Sequence, residues 1–130
     1  MKYRRDYQET HDIDWFFRHN GKVYHAASNG GMLPDSVDSL KNRTIQEKLE
    51  ELKGVYEVQL SNSFNVQGED LSSFKDYAAK GFISLDRKEV EDDRLVYQRV
   101  AYPANGEMFE NEDILALMPV LDDNEITVIE

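Results

Sequence analysis

With 130 residues, 40 % hydrophobic and 11 % aromatic, the chain is long enough for one domain with its own core and too apolar for disorder, despite 32 % charged residues. It has no cysteine, which excludes disulfides, thiolate nucleophiles and cysteine-bound zinc, and no apolar run reaches the roughly 18 residues of a membrane span. The net charge of −11 argues against DNA or RNA as a direct partner, because an acidic surface repels a phosphate backbone.

The opening MKYRRDYQETHD has the positive charge of a signal peptide but no apolar stretch after it, so a soluble cytoplasmic protein is expected. Ile13 to Arg18 and Lys22 to Ala27 then read as two strands joined at Asn20-Gly21, the strongest short hairpin signal. Gly30-Gly31 marks a loop, and Pro34-Asp35 a helix start with Asp35 able to accept free backbone N–H groups. Val37, Leu40, Ile45, Leu49 and Leu52 recur at helical spacing, opposed by Glu47, Lys48, Glu50 and Glu51, and Lys53-Gly54 supplies a stop. Asn42 could equally cap a second, shorter helix. Ile45, Leu49 and Leu52 are expected against the sheet.

VYEVQL, Val55 to Leu60, alternates as a half-buried strand, and Leu71 to Lys80 allows a short helix. GFISLDR and RLVYQRVAY read as two further strands joined by the charged loop Lys88 to Asp93. Asn111 can cap a helix through Met118 that Pro119 stops, and EITVI, Glu125 to Ile129, closes the chain as a strand. The order predicts a single α+β domain over residues 1–130. Its sheet is expected to be largely antiparallel, with one main amphipathic helix and two short helices on one face.

The two histidines flanking Asn20-Gly21 raise the question of a metal or catalytic site. A two-residue turn pairs His19 with Lys22, Phe17 with Tyr24, Phe16 with His25 and Trp15 with Ala26. Ile13, Trp15, Phe17, Tyr24 and Ala26 then share a core face, and Asp14, Phe16, Arg18, Val23 and His25 the other. A three-residue loop with a bulge at Gly21 would set His25 beside Trp15 instead. Either register keeps His19 and His25 off a common metal ion. Asp14 and His25 can neighbour diagonally, as a carboxylate orienting an imidazole does, or lie together as a sheet-surface or part-buried polar pair. His11 with Asp12 and Asp14 is a weak metal pattern, and Asp122 to Glu125 lacks the glycine and distant glutamate of a calcium loop. No phosphate-binding glycine loop, dinucleotide fingerprint or serine elbow is present, and neither a cofactor nor a metal is expected.

The charge is unevenly placed. Through Leu85 there are 13 acidic and 11 basic residues, a balance of −2; from Asp86 onward there are 13 and 4, a balance of −9. Such a surface attracts basic proteins and speeds their encounter, though it also serves solubility alone. Glu89, Glu91, Asp92 and Asp93 are the expected partner-binding residues, with Glu110, Glu112 and Asp113 in support.

DIDWFFRHNGKVYHAASNGGMLP, Asp12 to Pro34, resembles the start of a loose group of small uncharacterised bacterial proteins. These open with an Asp-x-Asp-Trp-Phe strand, a turn, a second strand, a Gly-rich bend and a proline. Some are similar to immunity proteins encoded beside secreted or contact-delivered toxins. The resemblance covers 23 of 130 residues and carries no functional residue with it. It implies an immunity-type inhibitor of a basic toxin domain, which agrees with the charge. The other function classes are a small ligand binder or enzyme using Asp14 and His25, and an acidic accessory or phage-type structural protein.

Overall fold

The computed structural model describes residues 1–61, 70–90 and 94–130. Its elements are α1 (Arg5–Thr10), β1 (Asp14–His19), β2 (Lys22–Ala27), α2 (Ser39–Glu50), β3 (Val58–Leu60), α3 (Ser72–Ala79), β4 (Ile83–Lys88), β5 (Val96–Pro103), α4 (Glu112–Leu115) and β6 (Thr127–Ile129). This is the expected α+β order with one addition, α1.

Among the described residues the sheet has six strands in the order β1-β2-β4-β5-β3, with β6 also on β5. The β1–β2, β4–β5 and β3–β5 pairs are antiparallel, and β2–β4 and β5–β6 are parallel. β5 is long enough to share its far edge. β6 takes its Val96–Gln98 portion and β3 takes Ala101–Pro103. On the outer edge of β1, Arg18 N–H donates to the Pro119 carbonyl at 2.9 Å, and Leu121 N–H donates to the Arg18 carbonyl at 2.8 Å. Residues 119–129 therefore run from one edge of the sheet to the other. Their Leu121 and Ile126 side chains are buried in the cluster that the curled sheet encloses.

Alternation along the strands divides the core in two. Ile13, Trp15, Phe17, Tyr24, Ala26, Leu85 and Tyr97 pack with Leu33, Val37, Leu121 and Ile126. On the other side Phe16, Val23 and Phe82 pack with Ile45 and Leu49 of α2, Ile114 of α4, Phe109 and Met118, with Tyr77 of α3 against them. The helices α2, α3 and α4 thus share one face, as the sequence pattern predicts. They cover the face bearing Asp14 and His25. The face expected to be the core is closed instead by Leu33 and Val37 from the β2–α2 connection and by Leu121 and Ile126 from the C-terminal segment. Trp15, Phe16 and Phe17 are all fully buried, so this stretch of β1 is interior on both sides.

Local differences from expectation have identifiable causes. The cap of α2 is Asp38, not Asp35: its Oδ1 accepts from Leu40 N–H at 2.9 Å and Lys41 N–H at 3.0 Å. The Met1 ammonium, 2.5 Å from its carboxylate, together with the Lys41 and Leu40 amides, holds Asp38 down to about 2. Asn42 lies inside the helix, buried, rather than starting a second one. Ile45 and Leu49 are buried as predicted, each contributing about 1.5–3 kcal/mol by leaving water. Leu52 is 39 % exposed because α2 ends at Glu50, and Leu40 also faces solvent. β3 starts at Val58 rather than Val55, since the Val55 and Tyr56 amides both donate to the Ala79 carbonyl at the end of α3.

Nothing in the opening charges predicts α1. Its signal is the spacing of Tyr3, Tyr7 and His11, whose rings stack successively at 5.7 and 3.8 Å. Gln8 fastens α1 to the fold, donating to the Tyr3 carbonyl and accepting from Leu33 N–H.

Candidate functional site

The hairpin follows the two-residue register throughout, from Asp14↔Ala27 to His19↔Lys22. Asn20 and Gly21 have φ of 51° and 74°, the paired positive values of a type I′ turn. The two histidines therefore leave opposite faces and have separate partners. His19 Nδ1 lies 2.9 Å from the Leu121 carbonyl and Nε2 lies 3.2 Å from Asp123. It joins the hairpin tip to the C-terminal segment.

His25 sits at the centre of a polar chain that the strand register builds. Its neighbour across the parallel β2–β4 ladder is Ser84, and Asp14 is its diagonal neighbour on β1, two residues before Phe16. His25 Nε2 is 2.8 Å from Asp14 Oδ1, and Nδ1 is 3.1 Å from Ser84 Oγ. The Asp14 carboxylate only accepts, so Nε2 is the donor to it, and the tautomer with Nδ1 bare can accept a hydrogen bond from the Ser84 hydroxyl. Hydroxyl, base and acid are thus aligned in the polarity that activates a serine. The sequence reading placed Asp14 beside His25 but missed Ser84, whose role depends on a β2–β4 neighbour relation that no local pattern encodes.

Burial determines what this chain can do. His25 and Ser84 are both 0 % exposed, and the ring of Tyr77 stacks over the imidazole at 4.1 Å. Phe16 and Phe74 flank it. The hydroxyl of Ser84 is therefore out of reach of a substrate in this conformation. The Asp14 backbone carbonyl accepts from both Asn42 and Gln46 of α2, each at 2.9 Å. Burial first, then the charges of Asp14, Glu50 and Asp76, push the Tyr77 hydroxyl above its ordinary range. These contacts tie α2 and α3 to the hairpin.

The other sequence candidates have local partners. His11 Nδ1 lies 2.9 Å from the Tyr7 carbonyl and 3.0 Å from Thr10 Oγ1, while Asp12 accepts from Asn29 N–H. Asp122 Oδ1 accepts from the Asn124 and Glu125 amides, which makes Asp122 to Glu125 a side-chain-closed turn. Among the described residues no cluster of three or more His, Asp or Glu side chains is placed to hold a metal ion, and no helix is long and apolar enough to cross a membrane.

The acidic residues fall into separate groups. Glu89 is exposed just past the end of β4. Glu91, Asp92 and Asp93 lie outside the described residues. Glu110, Glu112 and Asp113 are all exposed around the start of α4, where Asn111 Oδ1 accepts from Ile114 N–H. Their backbone is held firmly. Phe109, Ile114 and Met118 are buried in the helix-side core, and Phe109 N–H donates to the Gly81 carbonyl at 3.0 Å. Gly81 has a φ of 106°, and a Cβ there would meet the Phe109 nitrogen at 2.5 Å, so this docking requires glycine. Gly81 precedes β4 and Glu89 follows it, about 25 Å apart at roughly 3.3 Å per residue. Among the described residues, Glu89 and the group Glu110, Glu112 and Asp113 therefore lie toward opposite ends of one strand. Comparison with protein-family models, curated proteins and solved structures finds no match to this chain.

Proposed function

We propose that this protein is a non-catalytic acidic binding module for a basic protein, of the kind an immunity-type inhibitor presents to a basic bacterial toxin domain. One observation carries the reading: Glu110, Glu112 and Asp113 are exposed on a backbone anchored by buried Phe109, Ile114 and Met118. Charges held in fixed positions steer an oppositely charged partner without first having to be ordered. A nuclease toxin needs a basic surface for its substrate, and a rigid carboxylate cluster suits that surface. The resemblance of Asp12 to Pro34 supports the immunity form of the reading. Glu89, at the far end of β4, is a second contact for a partner broad enough to span the sheet. The alternative of catalysis through Asp14 and His25 is disfavoured by the burial of His25 and Ser84.

The test is affinity capture with the wild-type chain and with Glu110→Gln/Glu112→Gln/Asp113→Asn. Capture of a basic protein by the wild type and its loss from the variant is the expected result. Equal capture by both would move the contact elsewhere. Capture of no basic protein would leave an acidic accessory or structural role.

A further inference from the structure

Among the described residues Arg18 is a cation without an anion, in a chain where acidic residues outnumber basic ones 26 to 15. Its backbone is fixed on both sides, paired with Val23 across the hairpin and bonded to Pro119 and Leu121 on the outer edge. Its side chain is on the helix side of the hairpin, with those of Phe16 and Val23. Nε is buried and has no hydrogen-bond partner among the described residues. Among the described residues nothing forms an ion pair with the guanidinium. A buried polar group left unpaired is destabilising, so each such group in a native protein calls for an explanation, of which a bound molecule or ion is one.

The surroundings identify what would bind. Arg18 lines a cleft of about 280 Å³ together with Lys22, Val23, Met108, Leu115 and Val120. Lys22 is a second cation with no ion pair among the described residues. Val120 is 63 % exposed and Met108 37 %, so apolar surface stands open beside the two cations. The planar guanidinium fork matches a carboxylate, and a net charge of −11 disfavours a more highly charged phosphate. The volume falls just below the usual range of ligand pockets, about 300–1,000 Å³, room for one short body. We infer that this cleft binds a carboxylate carried on a short apolar body, with Arg18 holding the carboxylate and Met108, Leu115 and Val120 covering the body. A free small acid and the C-terminal residue of a polypeptide share that chemistry. The cleft adjoins the acidic segment, since Met108, Phe109 and Leu115 line it and Glu110, Glu112 and Asp113 lie between them in the chain, but the inference does not rest on the proposed function.

The test uses the whole chain and reads the Arg18 Nε–Hε resonance while hexanoate, hexanol, or a short peptide ending in leucine is added. The peptide is used with a free and with an amidated C-terminus. Hexanoate or the free-carboxylate peptide is expected to shift the Arg18 signal, while hexanol and the amidated peptide leave it in place. Arg18→Met, which keeps the apolar stem, is expected to weaken carboxylate binding about tenfold or more. Binding of both carboxylates assigns a small-acid site, and binding of the peptide alone assigns a chain terminus. An Arg18 signal unmoved by either carboxylate at millimolar concentration overturns the inference, as does hexanol binding as well as hexanoate. The wild-type resonance decides the matter even if Arg18→Met fails to fold.

Discussion

Asp14, His25 and Ser84 form an acid–base–hydroxyl chain whose imidazole and hydroxyl are sealed from solvent, whereas Glu110, Glu112 and Asp113 are plain carboxylates standing in water. Both regions rest on the same helix-side core. In the first, polar groups face one another and satisfy one another, so their chemistry is spent on holding β1, β2 and β4 together. In the second, apolar anchors hold the backbone and the charges are left in water. Residue type alone points to the first region as the working one; exposure on a fixed backbone points to the second.

The largest test of this contrast is the cover over the buried chain. Leu49→Ala is expected to destabilise by about 2–5 kcal/mol, as truncations at fully buried sites do. Leu52→Ala, at an exposed position past the helix end, is expected to change stability by about 0.5 kcal/mol or less. Chemical-denaturation midpoints for the pair check the assignment of the helix face.

His25→Ala comes next. It leaves the Ser84 hydroxyl and the Asp14 carboxylate without their imidazole, a loss of about 1–3 kcal/mol for the unpaired polar groups, with a cavity added. Equilibrium unfolding measures it; a stability unchanged from wild type would mean that the chain is not structural.

Tyr77 sharpens the same region through pH. Its hydroxyl pKa stands above the ordinary 10.0 in the folded protein, with burial the first cause. As pH rises past 10.0 the unfolded chain gives up this proton first, so stability is full below that value and declines above it. Tyr77→Phe keeps a ring over His25 and is expected to flatten the decline in an alkaline denaturation series. An unaltered slope would place the hydroxyl in water.

Asn111→Ala tests the other region. Losing the cap on Ile114 N–H is expected to cost about 1 kcal/mol, read from thermal or chemical unfolding. The same substitution should loosen the acidic segment and weaken any partner that depends on its fixed shape.

The sequence was a good guide where a strong local signal stood, though Asp35, Leu52 and Val55 show that such signals misplace element ends. Asn20-Gly21 specified the hairpin register, Ile45 and Leu49 specified the buried stripe of α2, and Asn111 specified the start of α4. It was a poor guide where the fold depends on distant neighbours. Ser84 meets His25 only because β4 lies parallel to β2, and the polar hooks Gln8 and His19 act on segments far along the chain. The face of Trp15 and Phe17 is closed by segments with no periodicity, so composition announces its burial but not its cover. The final-third charge excess was legible as a number; that Glu89 and the group Glu110, Glu112 and Asp113 stand toward opposite ends of β4 was not, since that depends on Phe109 docking at Gly81.

The most direct measurement is the association rate of the captured basic partner with the wild type and with Glu110→Gln/Glu112→Gln/Asp113→Asn across a salt series. The variant should retain wild-type stability to within about 0.5 kcal/mol, since exposed carboxylates contribute little to packing. Its association should be slower at low salt, with dissociation much less affected. The two rates should converge as salt rises, because screening shortens the reach of exposed charges to about 8 Å at physiological ionic strength. A variant that associates as fast as the wild type at low salt would contradict the account and assign these carboxylates to solubility.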